Sequence, residues 1–378
     1  MSSARNTLAL EVSAFGREVG TLAHSDDGMA FQYSPDWLAS GFSLSPFSLP
    51  AEHRVFTPQI RAFDGLFGVF ADSLPDGWGR LLLDRLLRRL GEDPEKLSAL
   101  DRLAIVGTNG MGALEYRPVW DMPAGSELRD YDLLAQECRK IFHDEYSADL
   151  DRLFHLGGSS GGARPKVLVD IDGTPWIVKF HTSREDSGAG RMEYEYARCA
   201  VACGINLPEV RLLPSNECDG YFAIKRFDRV PDGEGEVRKV HMISAAGLLE
   251  TSHRVPNLDY VQLMRLTQVL TNDAAQLQEL FRRMCFNVFA HNRDDHSKNF
   301  SFLHGEGGGW MLSPAYDLTY SNSIGGEHAT TVAGEGARPG MADILNVAKT
   351  ADLDLAWAEE TARTIRRIVG EHLESYVR

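Results

Sequence analysis

The spacing of apolar and polar residues changes period along the chain. Leu8 to Val12, Arg17 to Leu22 and Met29 to Tyr33 are short apolar-rich runs, separated by Phe15-Gly16 and Ser25-Asp26-Asp27-Gly28, whose composition suits tight turns. They predict a small antiparallel sheet. A helical period follows Ser73-Leu74-Pro75-Asp76-Gly77-Trp78-Gly79: Leu82, Leu83, Leu86, Leu87 and Leu90 share one stripe, Arg80, Asp84, Arg85 and Arg88 the other face, and Gly91 stops the run. Asp121 to Asp151 is acidic and mixed, and it predicts a helical connector burying Leu133, Leu134, Ile141 and Phe142. Strand patterns return at Lys166 to Ile171, Pro175 to Phe180 and Tyr221 to Arg229, with a helix at Met192 to Cys203 between them. Leu258 to Leu270, Asp273 to Phe289 and Leu353 to Val377 then show helical spacing. A β-rich first part and a helical last part predict an α+β fold.

One stretch breaks these patterns. In Phe286 to Phe302 an apolar run gives way to Asn292, Arg293, Asp294, Asp295, His296, Lys298 and Asn299 before Phe300 and Phe302 resume it. So many groups that are costly to desolvate, set between core-forming flanks, point to chemistry. Arg293-Asp294 is followed by Asn299 five positions on, and Asp317 lies beyond a further apolar pair of runs. That spacing fits protein kinases, with Asp294 as the base that accepts the hydroxyl proton and Asn299 and Asp317 as oxygen ligands for Mg2+. Two other readings compete. Asp295 and His296 could only cap a turn, and a metal hydrolase could ligate Zn2+ or Mn2+ through His291, Asp294, Asp295 and His296.

Upstream, Leu156 to Val169 contains Gly157-Gly158-Ser159-Ser160-Gly161-Gly162 and then Lys166. Glycines let a backbone approach phosphates and aim N–H groups at them. A flexible Gly/Ser linker has the same composition, but this segment runs straight into strands. Lys179 sits inside the apolar run Trp176 to Phe180, where an ammonium needs anions beside it. Kinases place such a lysine on the α- and β-phosphates and pair it with a glutamate on the next helix; Glu193 is preferred here over Glu195. Tyr221 to Arg229 then stands where a kinase hinge receives adenine, through backbone groups from Lys225 to Phe227. Leu103 to Tyr116 has glycines that do not fit a phosphate-loop consensus and reads as structural.

Length and composition set bounds. The 378 residues, 43% of them hydrophobic, can build a large core in two or three subdomains. A net charge of −15 repels a phosphate backbone, so the chain alone is not expected to bind nucleic acid. Five cysteines without paired CxxC spacing read as reduced core thiols. No stretch approaches about 18 uncharged apolar residues, so no membrane association and a cytoplasmic location are expected.

Gly157 to Lys166 (GGSSGGARPK), Ile224 to Arg229 (IKRFDR), Arg293 to Phe302 (RDDHSKNFSF) and Ser313 to Leu318 (SPAYDL) resemble the HipA family of bacterial serine/threonine kinase toxins. Ala71 to Arg80 and Ile105 to Tyr116 resemble that family's N-terminal domain. The resemblance implies a two-lobed, protein-kinase-like fold with an extra N-terminal β-rich subdomain at 1–145, a kinase N-lobe at 146–228 and a helical C-lobe at 229–378. It implies ATP and Mg2+ as cofactors. Asp294 would be catalytic, Asn299 and Asp317 metal ligands, and Ser159, Ser160, Gly161, Gly162, Lys166, Lys179, Glu193, Lys225, Phe227 and Lys298 nucleotide contacts. It further implies autophosphorylation at Ser159, with Ser160 as the alternative, a translation-related protein substrate such as an aminoacyl-tRNA synthetase, and a small DNA-binding antitoxin. Asp295 departs from a family position that is often Gly, and Lys225 from one that is often Glu. A small-molecule phosphotransferase, or a nucleotide-binding regulator without catalysis, would share many of these residues.

Overall fold

In the computed structural model, residues 7–377 are described except 26–27, 61, 121, 123–129, 160, 183–184, 186, 232–236, 306–307 and 324. The chain divides into two units. The first comprises Met1–Ser187, Leu213–Ile243 and Gly247–Thr251; the second comprises Gly188–Leu212, Ser244–Ala246 and Ser252–Arg378.

In the first unit, strands β1 (Ala9–Ala14), β2 (Arg17–Ser25) and β3 (Gly28–Tyr33) form where the period-2 runs predict them. Phe15 and Gly16 both take positive φ, at 54° and 72°, the turn that matches the right-handed twist of a tight hairpin. β4 (Val55–Phe56) extends the sheet beyond β3, and β5 (Glu115–Arg117) pairs antiparallel with β1, giving the order β4-β3-β2-β1-β5.

Helix α1 (Gly77–Arg89) carries the leucine stripe and ends before Gly91, which adopts φ 79°. Leu82, Leu83, Leu86 and Leu87 are buried, whereas Leu90 lies past the last helical residue and is exposed. After α2 (Ala99–Val106), the expected connector resolves into α3 (Tyr131–Phe142) and α4 (Leu150–Gly157). Leu134 and Ile141 are buried as expected; Leu133 is exposed and Phe142 half-buried, because α3 turns a narrower face inward. α4 packs on α1 and on β6 (Lys166–Ile171), which pairs antiparallel with β7 (Thr174–Lys179), itself paired with β8 (Tyr221–Lys225). Trp78, Leu82, Leu86, Leu134, Ile141, Leu153, Val167, Trp176, Val178 and Phe180 share one core.

The glycine stretch around Gly110 is structural. Asp228 is buried and accepts from Arg226 Nε and Nη2 at 2.9 and 2.7 Å, from Arg229 Nη1 at 2.8 Å and from the Gly112 N–H at 2.8 Å. Arg229 continues to the carbonyls of Gly110 and Gly112, both at 2.8 Å. Burial pushes the Asp228 carboxyl up, but the two guanidiniums outweigh it and hold the group at about 2. A carboxylate depressed on folding contributes stability above its unfolded value, about 3.9, and loses it as pH falls from there through about 2. Asp228→Ala leaves both guanidiniums short of an anion and is expected to cost about 3–5 kcal/mol, read by urea denaturation near neutral pH. The variant should also lose less stability than wild type as pH falls below about 4.

The second unit is mainly helical: α5 (Ala189–Ala202), α6 (Tyr260–Thr271), α7 (Ala274–Phe289), α8 (Met341–Thr350) and α9 (Leu355–His372), with the hairpin β9 (Ser301–His304) and β10 (Trp310–Leu312). α7 packs against α6, α8 and α9. Asp259 and Asp273 cap α6 and α7, each accepting a backbone N–H of the first turn. All five cysteines are free thiols. Among the described residues no helix is long and apolar enough to cross a membrane.

Candidate active site

In the first unit, α4 ends at Gly157, and Ser159, Gly161 and Gly162 follow in a loop that enters β6; Ser160 lies outside the described residues. Gly162 adopts φ 85°, which a side chain would strain. Lys166 opens β6 and Lys179 closes β7, and the two are direct cross-strand partners. They are 7% and 8% exposed. Like charges set directly opposite destabilise a sheet unless counter-charges stand beside them. Lys166 Nζ donates to the Gly161 carbonyl at 2.5 Å, and Lys179 Nζ stands 5.6 Å from the centroid of the Phe222 ring.

The turn that opens α1 meets this loop. Asp76 accepts from the Gly162 N–H, Trp78 N donates to the Gly162 carbonyl at 2.9 Å, and Trp78 Nε1 donates to the Lys166 carbonyl at 3.1 Å. A Cβ on Gly77 would stand 2.4 Å from the Gly162 carbonyl oxygen, so glycine is required for the approach. The sequence pattern marks this turn only as the start of the leucine-striped helix. At the end of β8, Lys225 and Phe227 are half-buried, while the Arg226 N–H is spent on the Pro175 carbonyl at 2.9 Å. Of the backbone donors from Lys225 to Phe227, that of Arg226 is therefore not open to a ligand.

In the second unit, Glu193 is buried in the early part of α5 and Glu195 half-buried. The polar stretch begins where α7 stops. His291 takes φ 52°, the chain bridges Asn292 to Ser321, and Ser297–Asn299 forms a single 3-10 turn. Asp294 is exposed, whereas Asp295 is fully buried. Asn299 Nδ2 donates to the Asp294 carbonyl at 2.7 Å, which directs its own amide oxygen elsewhere. Asp317 takes φ 55°, a left-handed conformation that non-glycine residues seldom hold without a reason. Tyr316 supports the pair: its hydroxyl donates to the Lys298 carbonyl at 2.6 Å and lies 2.6 Å from Ser301 Oγ.

Although the Asp294 carboxylate is open to solvent, desolvation by the surrounding protein raises it above the usual carboxylate range. His296, with Nε2 3.9 Å from Asp294 Oδ1, opposes the shift, and the charges of Asp317 and Asp295 add to it. Asp294 and Asp317 are thus within electrostatic reach of each other. A carboxylate plus an amide oxygen is the kind of hard, incomplete ligand set that Mg2+ takes when phosphate oxygens supply the rest. The hydrolase reading fares worse, since it needs Asp295, whose oxygens are taken up by protein donors. Among the described residues no group of three or more His, Cys, Asp or Glu is arranged to hold a metal.

Comparison with known proteins decides the lineage. The HipA-like C-terminal domain family matches residues 158–377, and the HipA N-terminal domain family matches 10–117. The chain belongs to the HipA family. It is 26% identical over 355 residues to the serine/threonine-protein kinase toxin HipA of Shewanella oneidensis, covering 84% of this chain and 76% of the relative. It is also 26% identical over 331 residues to the putative kinase Y4dM of Sinorhizobium fredii, covering 82% and 76%. The Shewanella oneidensis HipA, solved in complex with HipB and operator DNA, superposes with a TM-score of 0.70 at 20% identity, covering 97% of this chain and 91% of that one. At that identity the likeness establishes the fold, and the α+β, HipA-type architecture expected from the sequence is the one found.

Proposed function

We propose that this HipA-family chain is an ATP-dependent serine/threonine protein kinase acting as the toxin of a bacterial toxin–antitoxin pair in the cytoplasm. The observation that carries the reading is the cluster in the second unit: Asp294 exposed and raised, Asp317 close enough to contribute to that shift, and Asn299 fixed to the Asp294 carbonyl. Asp294 accepts the proton of the attacking hydroxyl. Asn299 and Asp317 hold Mg2+, which when bound supplies charge neutralisation for the phosphates. Lys298 is a further nucleotide contact. In the first unit, Lys166 and Lys179 concentrate positive charge for phosphates beside the Gly161-Gly162 loop, whose Gly162 N–H joins them only once Asp76 releases it. Backbone groups of Lys225 and Phe227 meet adenine. The divisions at 1–145, 146–228 and 229–378 then correspond to an N-terminal subdomain, a nucleotide lobe and a catalytic lobe.

Transfer of label from γ-labelled ATP to serine or threonine of an added protein extract, lost in Asp294→Ala, tests this reading. The substrate is proposed to be a translation-related protein, as the family resemblance implies. A DNA-binding antitoxin is proposed as partner, supported by the relative that was solved with HipB and operator DNA. With a net charge of −15, the chain alone is expected to bind DNA weakly and without sequence preference. Gel-shift titrations at moderate salt check this, and tight specific binding by the isolated chain would contradict it.

A further inference from the structure

Asp295 is the one acidic residue of the catalytic stretch that the proposed reaction leaves without a task. It is 0% exposed, next to an exposed Asp294. Its Oδ2 accepts from the Tyr260 hydroxyl at 2.9 Å and lies 3.0 Å from His328 Nδ1; its Oδ1 accepts from the Thr330 N–H at 3.1 Å. Its main-chain carbonyl accepts from Thr330 Oγ1 at 2.5 Å. Tyr260, His328 and Thr330 are themselves buried. The network then returns to the loop: Asn287 Nδ2 donates to the Tyr260 hydroxyl at 2.9 Å, and Asn292 Nδ2 donates to Asn287 Oδ1 at 3.0 Å.

The backbone on the other side of Asp294 is held in the same way. Arg293 N donates to the Ser321 carbonyl at 3.3 Å, and Ala329 N donates to the Arg293 carbonyl at 3.0 Å. Both neighbours of Asp294 are therefore fixed to the segment around Ala329 and Thr330, while its own side chain stays open. A buried carboxylate survives only where donors satisfy it, and with partners on both oxygens Asp295 is held in one geometry, although Asn292 Oδ1 at the far end of the network has no hydrogen-bond partner.

We propose that Asp295 is a positioning residue for Asp294, acting through Tyr260, His328 and Thr330 to fix where the base stands. The assignment rests on the kinase reading above. Displacing a reacting group by about 1 Å costs on the order of 10²-fold in rate, so removing single members of the network should lower kcat and leave nucleotide binding alone. Tyr260→Phe removes one donor, Thr330→Val removes the hydroxyl on the Asp295 carbonyl, and Thr330→Ser keeps that hydroxyl.

The test is steady-state phosphoryl transfer by the full chain, with kcat expressed per Mg2+-ATP site counted by calorimetric titration, so that loss of folded protein does not register. Tyr260→Phe and Thr330→Val are expected to lower kcat about tenfold or more with the KM for ATP within about twofold, and Thr330→Ser to restore most of kcat. In an active wild-type background, an unchanged kcat in both variants, or a rise in KM alone, would overturn the assignment and leave the kinase reading standing. A wild-type chain that transfers no phosphoryl group would sink the kinase reading, and this assignment with it.

Discussion

Asp317→Ala is expected to abolish phosphoryl transfer and to weaken Mg2+-ATP binding strongly, whereas Asp294→Ala should abolish transfer and bind Mg2+-ATP nearly as wild type does. The two carboxylates are close enough for one to shift the other, yet their settings differ. Asp317 is held at φ 55° beside Tyr316, whose hydroxyl is tied to Lys298 and Ser301, and it is proposed as a metal ligand. Losing it removes one of the few protein oxygens in a site that Mg2+ completes with phosphate. Asp294 donates nothing to the nucleotide in this account. Its loss removes general-base assistance, typically about 10²–10⁴-fold, and also relieves negative charge near the phosphates. Calorimetric titration of both variants with Mg2+-ATP separates them; equal loss of binding in the two would contradict the assignment.

Phosphorylation of Ser159 is expected to switch the enzyme off. Ser159 follows the last turn of α4, in the same loop as Gly161 and Gly162, whose backbone is gripped by Asp76 and Trp78 from α1. A phosphoserine adds nearly two negative charges and three acceptor oxygens where the phosphates of ATP are proposed to lie. The loop would then have to leave that position. Arg164, the nearest Lys or Arg in sequence, already donates its Nε to Glu185 at 2.5 Å, so a phosphoserine that reaches it shares that guanidinium with Glu185. Incubation of wild type, Ser159→Ala, Ser160→Ala and Asp294→Ala with Mg2+-ATP, followed by intact-mass spectrometry, checks both the site and its dependence on the base. The expected result is one added phosphate in wild type, absent from Ser159→Ala and Asp294→Ala, and a phosphorylated form that no longer binds ATP. Undiminished ATP binding by that form would refute self-inactivation.

Much of this arrangement is legible in the sequence because it depends on local period and spacing. The hairpin turn at Phe15-Gly16, the leucine stripe of α1 and the interval from Asp294 to Asn299 are set by residues close together in the chain. What escapes sequence reading depends on distant partners. Asp294 and Asp295 are chemically alike, and the one that is buried is decided by Tyr260, His328 and Thr330, more than thirty positions away. Asp76 meets Gly162 across 86 positions, so its contact with the glycine loop leaves no local trace beyond the two glycines around Trp78. Leu90 and Leu133 were assigned to buried stripes by period alone, but each lies at or near a helix end where the stripe leaves the core. Helix α8 went unseen because it is ten residues long and follows a glycine-rich stretch without a strong stop signal.

The central claim, that this chain transfers phosphate from ATP to protein by means of Asp294, is tested most directly by the phosphoproteome of bacterial cells producing the wild type beside cells producing Asp294→Ala at equal level. The account predicts at least one serine or threonine site, on a translation-related protein, that is modified with the wild type and not with the variant. Identical phosphoproteomes in the two strains, with both proteins folded, would contradict it.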